Sequence, residues 1–266
     1  MARLFLVLVV VLASARPFRA QIPPLDENGL TMGHVHLNVT DVDAQKKFWK
    51  QYFAGTDLQR EGLAGVKVRG MLILFTRKDP TRGSEGTTMD HFGFRVPSLD
   101  AMRQSLTAGG FEVRPTFKGT EGFDNAYVIG PDKVKIEMQQ DVNLKEPEVN
   151  HLHYVLRQPM PLRDWYVQNL GATPTKRGSY QTANVSTMNL TYTGGQNAEG
   201  APTKGAAIDH IGFEVKDLEA YCKKLEAKGI KLDVPYRKLP NLPLAIAFIT
   251  DPNGVYIELT EGLTSF

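Results

Sequence analysis

All six histidines of this chain fall in four short segments of similar sequence. The segments read GHVHLNV at 33–39, DHFGFRV at 90–96, NHLHYVL at 150–156 and DHIGFEV at 209–215. A neutral imidazole binds divalent transition metals, and its pKa lets it carry protons near neutral pH. The shared positions therefore predict a metal site, a proton-transfer site, or both.

The four segments mark an internal repeat. Their first histidines are His34, His91, His151 and His210, which lie 57, 60 and 59 residues apart. Each segment alternates like a strand, and a helical pattern follows it at 41–55, 98–110, 161–172 and 217–229. Short strand patterns fill the rest of each unit. The sequence predicts an α+β fold made of four βαβββ modules.

The alternation places the histidines on one face of their strands and the apolar residues on the other. In the first segment, His34 and His36 face away from Leu37. The later strands KIEM and YIEL place Glu137 and Glu258 opposite their apolar neighbours. Because the amphipathic helices cover the apolar face, the histidines and both glutamates share the uncovered face. A sheet curved into a cup around a divalent metal would use these side chains as ligands and leave coordination positions open.

The four units are not equal. The first and third begin His-x-His and lead into glycine-rich linkers at 79–86 and 194–205. The second and fourth begin Asp-His and end in the strand that carries a glutamate. We therefore expect that the duplicated segment of the sequence contains two consecutive units. This predicts two domains, 31–141 and 149–263, each with two modules and one cup-shaped mixed sheet.

The leading histidines, helices such as FWKQYFAG and the ending DPNGVYIEL resemble the vicinal oxygen chelate superfamily. That superfamily includes glyoxalase I, bleomycin-resistance proteins and type I extradiol dioxygenases. The resemblance implies a small-molecule substrate chelated through oxygen to a divalent metal, with Fe2+, Zn2+, Mn2+, Ni2+ and Co2+ as the candidates. The ligands it implies are His34, His91 and Glu137 in the first domain and His151, His210 and Glu258 in the second.

Three further residues are candidates for work on a substrate. His36 and His153 follow a ligand by two residues on the same face, and we expect them to move a proton, with hydrogen bonding or wall-forming as the alternative. Arg95 continues the cup-facing alternation and is expected to pair with an anionic substrate, unless it forms a structural salt bridge. Its counterpart in the second domain is Glu214, so the two cups would prefer different ligands.

The resemblance has departures that leave the reaction open. Leu74 and Asn189 stand where glyoxalase I-like sites carry a second carboxylate, and Phe248 stands where an extradiol dioxygenase carries a tyrosine. Three functions therefore remain: a metal-dependent lyase or isomerase, a ring-cleaving dioxygenase, and a non-catalytic binding protein of the bleomycin-resistance type.

Composition and the amino terminus bear on partners and location. The net charge of +2 includes no basic run, so we expect no nucleic-acid partner. Residues 1–20 have an apolar run followed by small residues, the layout of a signal peptide too short to span a membrane comfortably. We expect a periplasmic or secreted protein without membrane insertion after cleavage.

Cys222 is the one cysteine, so no internal disulfide forms. The sequence is compatible with a homodimer but does not predict one.

Overall fold

The structure is a computed structural model that describes residues 22–58, 60–195 and 199–266. The expected signal peptide, residues 1–20, lies outside the described residues. Within the described ranges, none of the helices has the length and apolar character needed to cross a membrane.

All four predicted helices are present. They are α1 Val42–Tyr52, α2 Leu99–Ala108, α3 Pro159–Trp165, which continues as a π-helical stretch Tyr166–Leu170, and α4 Leu218–Ala227. The side chains of Asp41, Ser98 and Asp217 accept hydrogen bonds from backbone N–H groups in the first turns of α1, α2 and α4. These caps fix the start of three helices just after a histidine-bearing strand.

The strands complete four βαβββ-like units, which confirms the predicted α+β class. They are β1 Leu30–Val39, β2 Thr56–Asp57, β3 Ala64–Val68, β4 Met71–Arg77, β5 Met89–Val96, β6 Glu112–Val113, β7 Phe117–Lys118, β8 Asp124–Ile129, β9 Lys135–Gln140, β10 Glu148–Val155, β11 Thr173–Arg177, β12 Tyr180–Val185, β13 Met188–Thr193, β14 Ile208–Val215, β15 Val234–Lys238, β16 Ala245–Thr250 and β17 Tyr256–Glu261. Short 3₁₀ turns lie at Pro131–Lys133 and Leu263–Ser265.

The strands form two mixed sheets. The outer sheet, from the first and fourth units, has the order β15-β16-β17-β14-β1-β4-β3-β2. The inner sheet, from the second and third units, has the order β11-β12-β13-β10-β5-β9-β8-β6, with β7 paired to β8. In both sheets the two histidine-bearing strands are central and antiparallel, β1 with β14 and β5 with β10.

This pairing corrects the expected domain organisation. Residues 31–141 and 149–263 are similar halves of the sequence, but each half contributes one unit to each sheet. The linkers that cross between the sheets run side by side: Thr88 N–H donates to the Ala201 carbonyl and Ala207 N–H donates to the Arg82 carbonyl, both at 2.9 Å. Because the chain leaves the outer sheet after the first unit and returns before the fourth, the second and third units pair with each other.

A continuous apolar core joins the two sheets. Trp49 on α1 is fully buried, and its ring centroid lies 5.7 Å from that of Phe92 and 6.1 Å from that of Phe94, both on β5. The first unit's helix thus packs on a strand of the second unit. The apolar face of the histidine-bearing strands is used for packing, which leaves the opposite face for the polar side chains.

Candidate metal centres

The polar faces of the two sheets each gather four potential ligands. The outer cluster consists of His34, His36, His210 and Glu258, and the inner cluster of His91, Glu137, His151 and His153. In each cluster, one ligand atom from every residue lies within 4.8 Å of the other three. All six histidines and both predicted glutamates therefore belong to one of two sites.

Strand register assembles the outer cluster. His36 lies opposite His210, while His34 lies opposite Gly212, which pairs in turn with Glu258 on β17. Glu258 Oε2 is 3.0 Å from His34 Nε2 and 3.2 Å from His210 Nε2. A Cβ atom at Gly212 would lie 2.0 Å from His34 Cε1, so the glycine makes room for the imidazole.

The inner cluster repeats this arrangement. His153 lies opposite His91, and His151 lies opposite Gly93, which pairs with Glu137 on β9. Glu137 Oε2 is 3.1 Å from His91 Nε2, 3.6 Å from His151 Nε2 and 4.0 Å from His153 Nδ1. A Cβ atom at Gly93 would again lie 2.0 Å from the imidazole Cε1 of His151.

Aspartates orient one histidine of each cluster. His210 Nδ1–H donates to Asp209 at 2.7 Å, and His91 Nδ1–H donates to Asp90 at 2.6 Å. Asp90 also accepts from Lys135 Nζ at 2.7 Å. Burial alone would lower the pKa of both histidines, but hydrogen bonds with their aspartate and glutamate partners raise it. These contacts direct Nε2 of each ring into its cluster.

Threonines orient the two histidines expected to move protons. His36 Nε2 forms a hydrogen bond with Thr76 Oγ1, and His153 Nε2 forms one with Thr193 Oγ1, both at 2.8 Å. Thr193 Oγ1 in turn donates to the Tyr154 carbonyl at 3.5 Å, which leaves its oxygen free to accept from the imidazole. In both rings Nδ1 therefore faces the cluster.

The residues of both clusters fit a transition metal. Among the described residues, His36 Nδ1, His151 Nε2 and His153 Nδ1 are buried without a hydrogen-bond partner, and the one close neighbour of His34 Nε2 is the Glu258 carboxylate of the same cluster. A buried polar atom without a partner costs free energy, which a bound cation would remove. Imidazole nitrogens with one carboxylate oxygen suit iron, zinc, nickel, cobalt or manganese better than calcium.

The ionisation of His36, His153 and the two glutamates agrees with that fit. Burial and the neighbouring imidazoles lower the pKa of His36 to about 3 and hold the pKa of His153 well below its ordinary value. Burial opposes ionisation of Glu137 and Glu258, yet their histidine contacts hold the pKa of each carboxyl below its ordinary value. Neutral imidazoles and ionised carboxylates are the forms that bind metals.

The structure regroups the triads implied by the sequence. The first triad combined His34 with His91 and Glu137, whereas the structure brings His34 to His210 and Glu258. The second triad combined His151 with His210 and Glu258, whereas the structure brings His151 to His91 and Glu137. The physical reason is the sheet pairing, because ligands from two units meet only where their histidine-bearing strands are neighbours.

In the inner cluster, the residue that stands where a second carboxylate would lie is not the one expected from the sequence. Leu74 pairs with His36 as expected, but the equivalent pair in the inner sheet joins Thr191 to His153. Asn189, expected at this place, instead pairs with His151. Asn189 and Thr191 share a face of β13, so alternation alone does not choose between them.

Two features beside the inner cluster were not predicted. A cavity of about 680 Å³ opens onto His91 and His153, and Tyr127 and Lys135 form part of its wall. The Tyr127 ring meets the His91 ring edge-on at 5.1 Å.

Arg95, the predicted anion-binding residue, lies beyond the cluster on β5, with Nη1 4.0 Å from Asp141 Oδ2. The recurrent Asp-His dipeptide is the sequence signal for the orienting aspartates, whereas Tyr127 has no local signal.

Comparison with known proteins supports the fold and the family. Residues 148–259 match the family model of the Glyoxalase/Bleomycin resistance protein/Dioxygenase superfamily. A lactoylglutathione lyase of Pseudomonas aeruginosa is 29% identical over 93 residues, which are 33% of this chain and 51% of that protein. This chain thus spans about half the length of that relative.

Two solved structures share the fold over most of their length. Glyoxalase I from Zea mays has a TM-score of 0.72 at 18% identity, covering 89% of this chain and 94% of that one. A candidate dioxygenase from Bacillus subtilis subsp. subtilis str. 168 has a TM-score of 0.64 at 12% identity, covering 91% and 86%. Residues 148–259 therefore match the Glyoxalase/Bleomycin resistance protein/Dioxygenase superfamily, and the solved structures show that the chain shares the glyoxalase-like fold.

Proposed function

We propose that this protein is an exported, metal-dependent enzyme that acts on a small metabolite bound through oxygen to the metal. The observation that carries the proposal is the convergence, in each cluster, of partnerless buried imidazole nitrogens and one carboxylate within 4.8 Å. His34, His210 and Glu258 would hold the metal in the outer cluster, and the inner cluster has the equivalent set. Bound there, a divalent cation would supply Lewis-acid polarisation of a substrate oxygen.

His36 and His153 are proposed to move the proton. Their Nε2–H groups are held by Thr76 and Thr193, so each Nδ1 lone pair is directed into its cluster. A lone pair in that position is able to accept a proton from a substrate held by the same cluster. Burial and the neighbouring imidazoles lower the pKa of both rings, so each imidazole is neutral near neutral pH.

Metal content of the mature protein, purified without chelators, tests the proposal. Glu258→Ala should remove metal from the outer cluster and Glu137→Ala from the inner one, while Glu226→Ala, on the exposed face of α4, should retain the wild-type content. Absence of metal from every form, even after reloading, would contradict the enzyme proposal and favour a small-molecule binding protein of the bleomycin-resistance type.

Substitution of His36 and His153 by Gln separates proton transfer from metal binding. If Nδ1 carries protons, each variant keeps its metal and loses turnover. Loss of the metal together with turnover would instead identify Nδ1 as a further ligand and contradict the proton-transfer role.

One observation favours a ring-cleaving dioxygenase as a second candidate. Tyr127 pairs with Glu137 just as Phe248 pairs with Glu258, so the inner cluster has a tyrosine where the outer cluster has phenylalanine. A tyrosine is what the resemblance to extradiol dioxygenases implies at this place. Anaerobically loaded Fe(II) protein should then consume oxygen with catechols, and no uptake across a broad catechol panel would exclude this candidate.

Export is proposed from the sequence of residues 1–20. Expression of the full chain should yield a periplasmic or secreted protein whose intact mass lacks the signal peptide. Recovery of the uncleaved chain from the cytoplasm alone would contradict export.

A further inference from the structure

A second cavity, of about 480 Å³, lies next to the inner cluster. Its charged wall residues are the cations Arg69, Arg95, Lys176 and Arg177 and the anions Glu121 and Glu148. We call it the anion pocket. Its wall has two more positive than negative side chains.

The excess charge is located on two of the cations. Arg69 Nε lies 3.0 Å from Glu148, and Arg177 Nε lies 2.8 Å from Glu121. Lys176 is exposed and has no ion pair with the described residues. Arg95 Nη1 lies 4.0 Å from Asp141 Oδ2, its charge helps to lower the pKa of Glu121, and its Nε is shielded from solvent without a hydrogen-bond partner among the described residues.

Two side chains of the anion-pocket wall, Arg177 and Asn150, also contact residues of the inner cluster. Arg177 Nη2 lies 3.8 Å from Glu137 Oε1, and its Nη1 donates to Thr191 at 3.2 Å. Asn150, also in the pocket wall, accepts at 2.7 Å from His151 Nδ1–H. One small molecule in the pocket would therefore contact residues that touch the cluster.

The outer sheet has no equivalent pocket chemistry at the matching positions. Glu214 occupies the place of Arg95, is 3% exposed, and accepts from Thr260 Oγ1 at 2.6 Å and from the Gly262 N–H at 2.8 Å. Leu72 and Leu74 replace Asn189 and Thr191 and pack with other buried leucines. The difference in charge between the two sites lies in the walls, because the clusters themselves carry the same ligand types.

We infer that the inner cluster takes an anionic substrate, a small carboxylate or phosphate compound, whose charged group lies against Arg95 and Lys176. This inference rests on the proposed function and adds the substrate class. Arg95 and Lys176 bind and position the anion, and Arg177 and Asn150 of the same wall connect the pocket to the inner cluster. The outer cluster, with Glu214 and leucines in its wall, does not share this preference.

Binding of inorganic phosphate and of succinate by calorimetry tests the inference in the full chain, both as purified and after chelator treatment. Saturable millimolar binding of at least one anion, present in both preparations, is expected. Arg95→Gln combined with Lys176→Gln should raise Kd by about tenfold, the size of one charge-assisted hydrogen bond. Arg103→Gln combined with Lys224→Gln, on α2 and α4 outside the pocket, removes the same number of positive charges and should leave Kd within twofold.

A nitrogen NMR spectrum keeps the test independent of the variants' folding. The Arg95 Nε–H resonance should move on titration of wild-type protein with the bound anion, whereas that of Arg103 should not. Binding that disappears with the metal, or that survives the double substitution, would overturn the inference. These outcomes are distinct from failure of the proposed function, which appears as loss of metal content and not as loss of anion binding in chelator-treated protein.

Discussion

Gly212→Ala and Gly93→Ala should each dismantle one cluster without touching the other. The new Cβ would lie 2.0 Å from the Cε1 of the facing imidazole, whereas ordinary contact begins near 3.4 Å. The ring of His34 or His151 would therefore have to move by about 1.4 Å. Both histidines are fully buried, so the displaced ring has no solvent space to enter.

The expected cost appears in stability and in metal binding. Overpacking of this kind costs about 1–3 kcal/mol, and each kcal/mol lowers the melting temperature by about 2–4 °C in a protein of this size. Displacement of one ligand should weaken metal binding at that cluster by at least about tenfold, since misplaced ligands lose affinity steeply. Zinc titration with a competing chromophoric chelator should show one tight site lost per substitution.

A matched substitution separates this effect from the general cost of replacing glycine. At Gly194 the backbone is not left-handed, and an added Cβ would meet only the Pro159 ring closely, at 3.1 Å. Gly194→Ala should therefore retain both metal sites. Wild-type metal affinity and melting temperature in Gly212→Ala and Gly93→Ala would refute the close packing of glycine against imidazole.

Three other changes have defined outcomes. Asp90→Asn should weaken metal binding at the inner cluster by about 10–100-fold, because the amide holds His91 less firmly; unchanged affinity in a chelator competition would contradict the orienting role. Burial raises the pKa of Asp251 to about 6, so the folded state binds this proton more tightly than the unfolded state and stability falls as pH rises through about 4 to 6. Asp251→Asn should then gain stability relative to wild type between those limits, and an equal difference in urea unfolding at both would contradict the assignment. Leu263→Ala removes a buried side chain from the leucine cluster beside the outer site and should lower the free energy of unfolding by about 2–5 kcal/mol, with an unchanged denaturation midpoint as the contrary result.

The sequence predicts what depends on local periodicity. Alternation within each histidine-bearing strand defines a polar face, and the helical stripes that follow define the other layer. Those patterns suffice for the four units, for the α+β class and for the full set of eight cluster residues. Each of these follows from neighbours in the chain, which is why one sequence is enough.

Which units meet is a non-local matter. The first histidines are nearly evenly spaced, so any two units have equally suitable central strands. The choice is made by contacts between the linkers, such as the hydrogen bond from Thr88 to Ala201, which are more than a hundred residues apart. Arg177 joins the inner cluster for the same kind of reason, since only the register of β11 and β12 brings it near Glu137.

The two clusters have the same ligand types, but different hydrogen bonds hold those ligands in place. This difference predicts which cluster binds metal more tightly. His151 Nδ1–H is held by Asn150, whereas Gly33 occupies that place in β1 and His34 Nδ1 has no partner among the described residues.

Glu137 likewise accepts from Asn125 Nδ2 at 2.8 Å, while the register places Ile246 at the matching position near Glu258. Ligands that are already held lose less freedom on binding, so the inner cluster should bind metal more tightly. Zinc affinities of Glu258→Ala, which retains the inner cluster, and Glu137→Ala, which retains the outer one, measure the two sites separately. A tighter outer site would show that the supporting hydrogen bonds do not set the affinity, and that the carboxylate and imidazoles alone decide it.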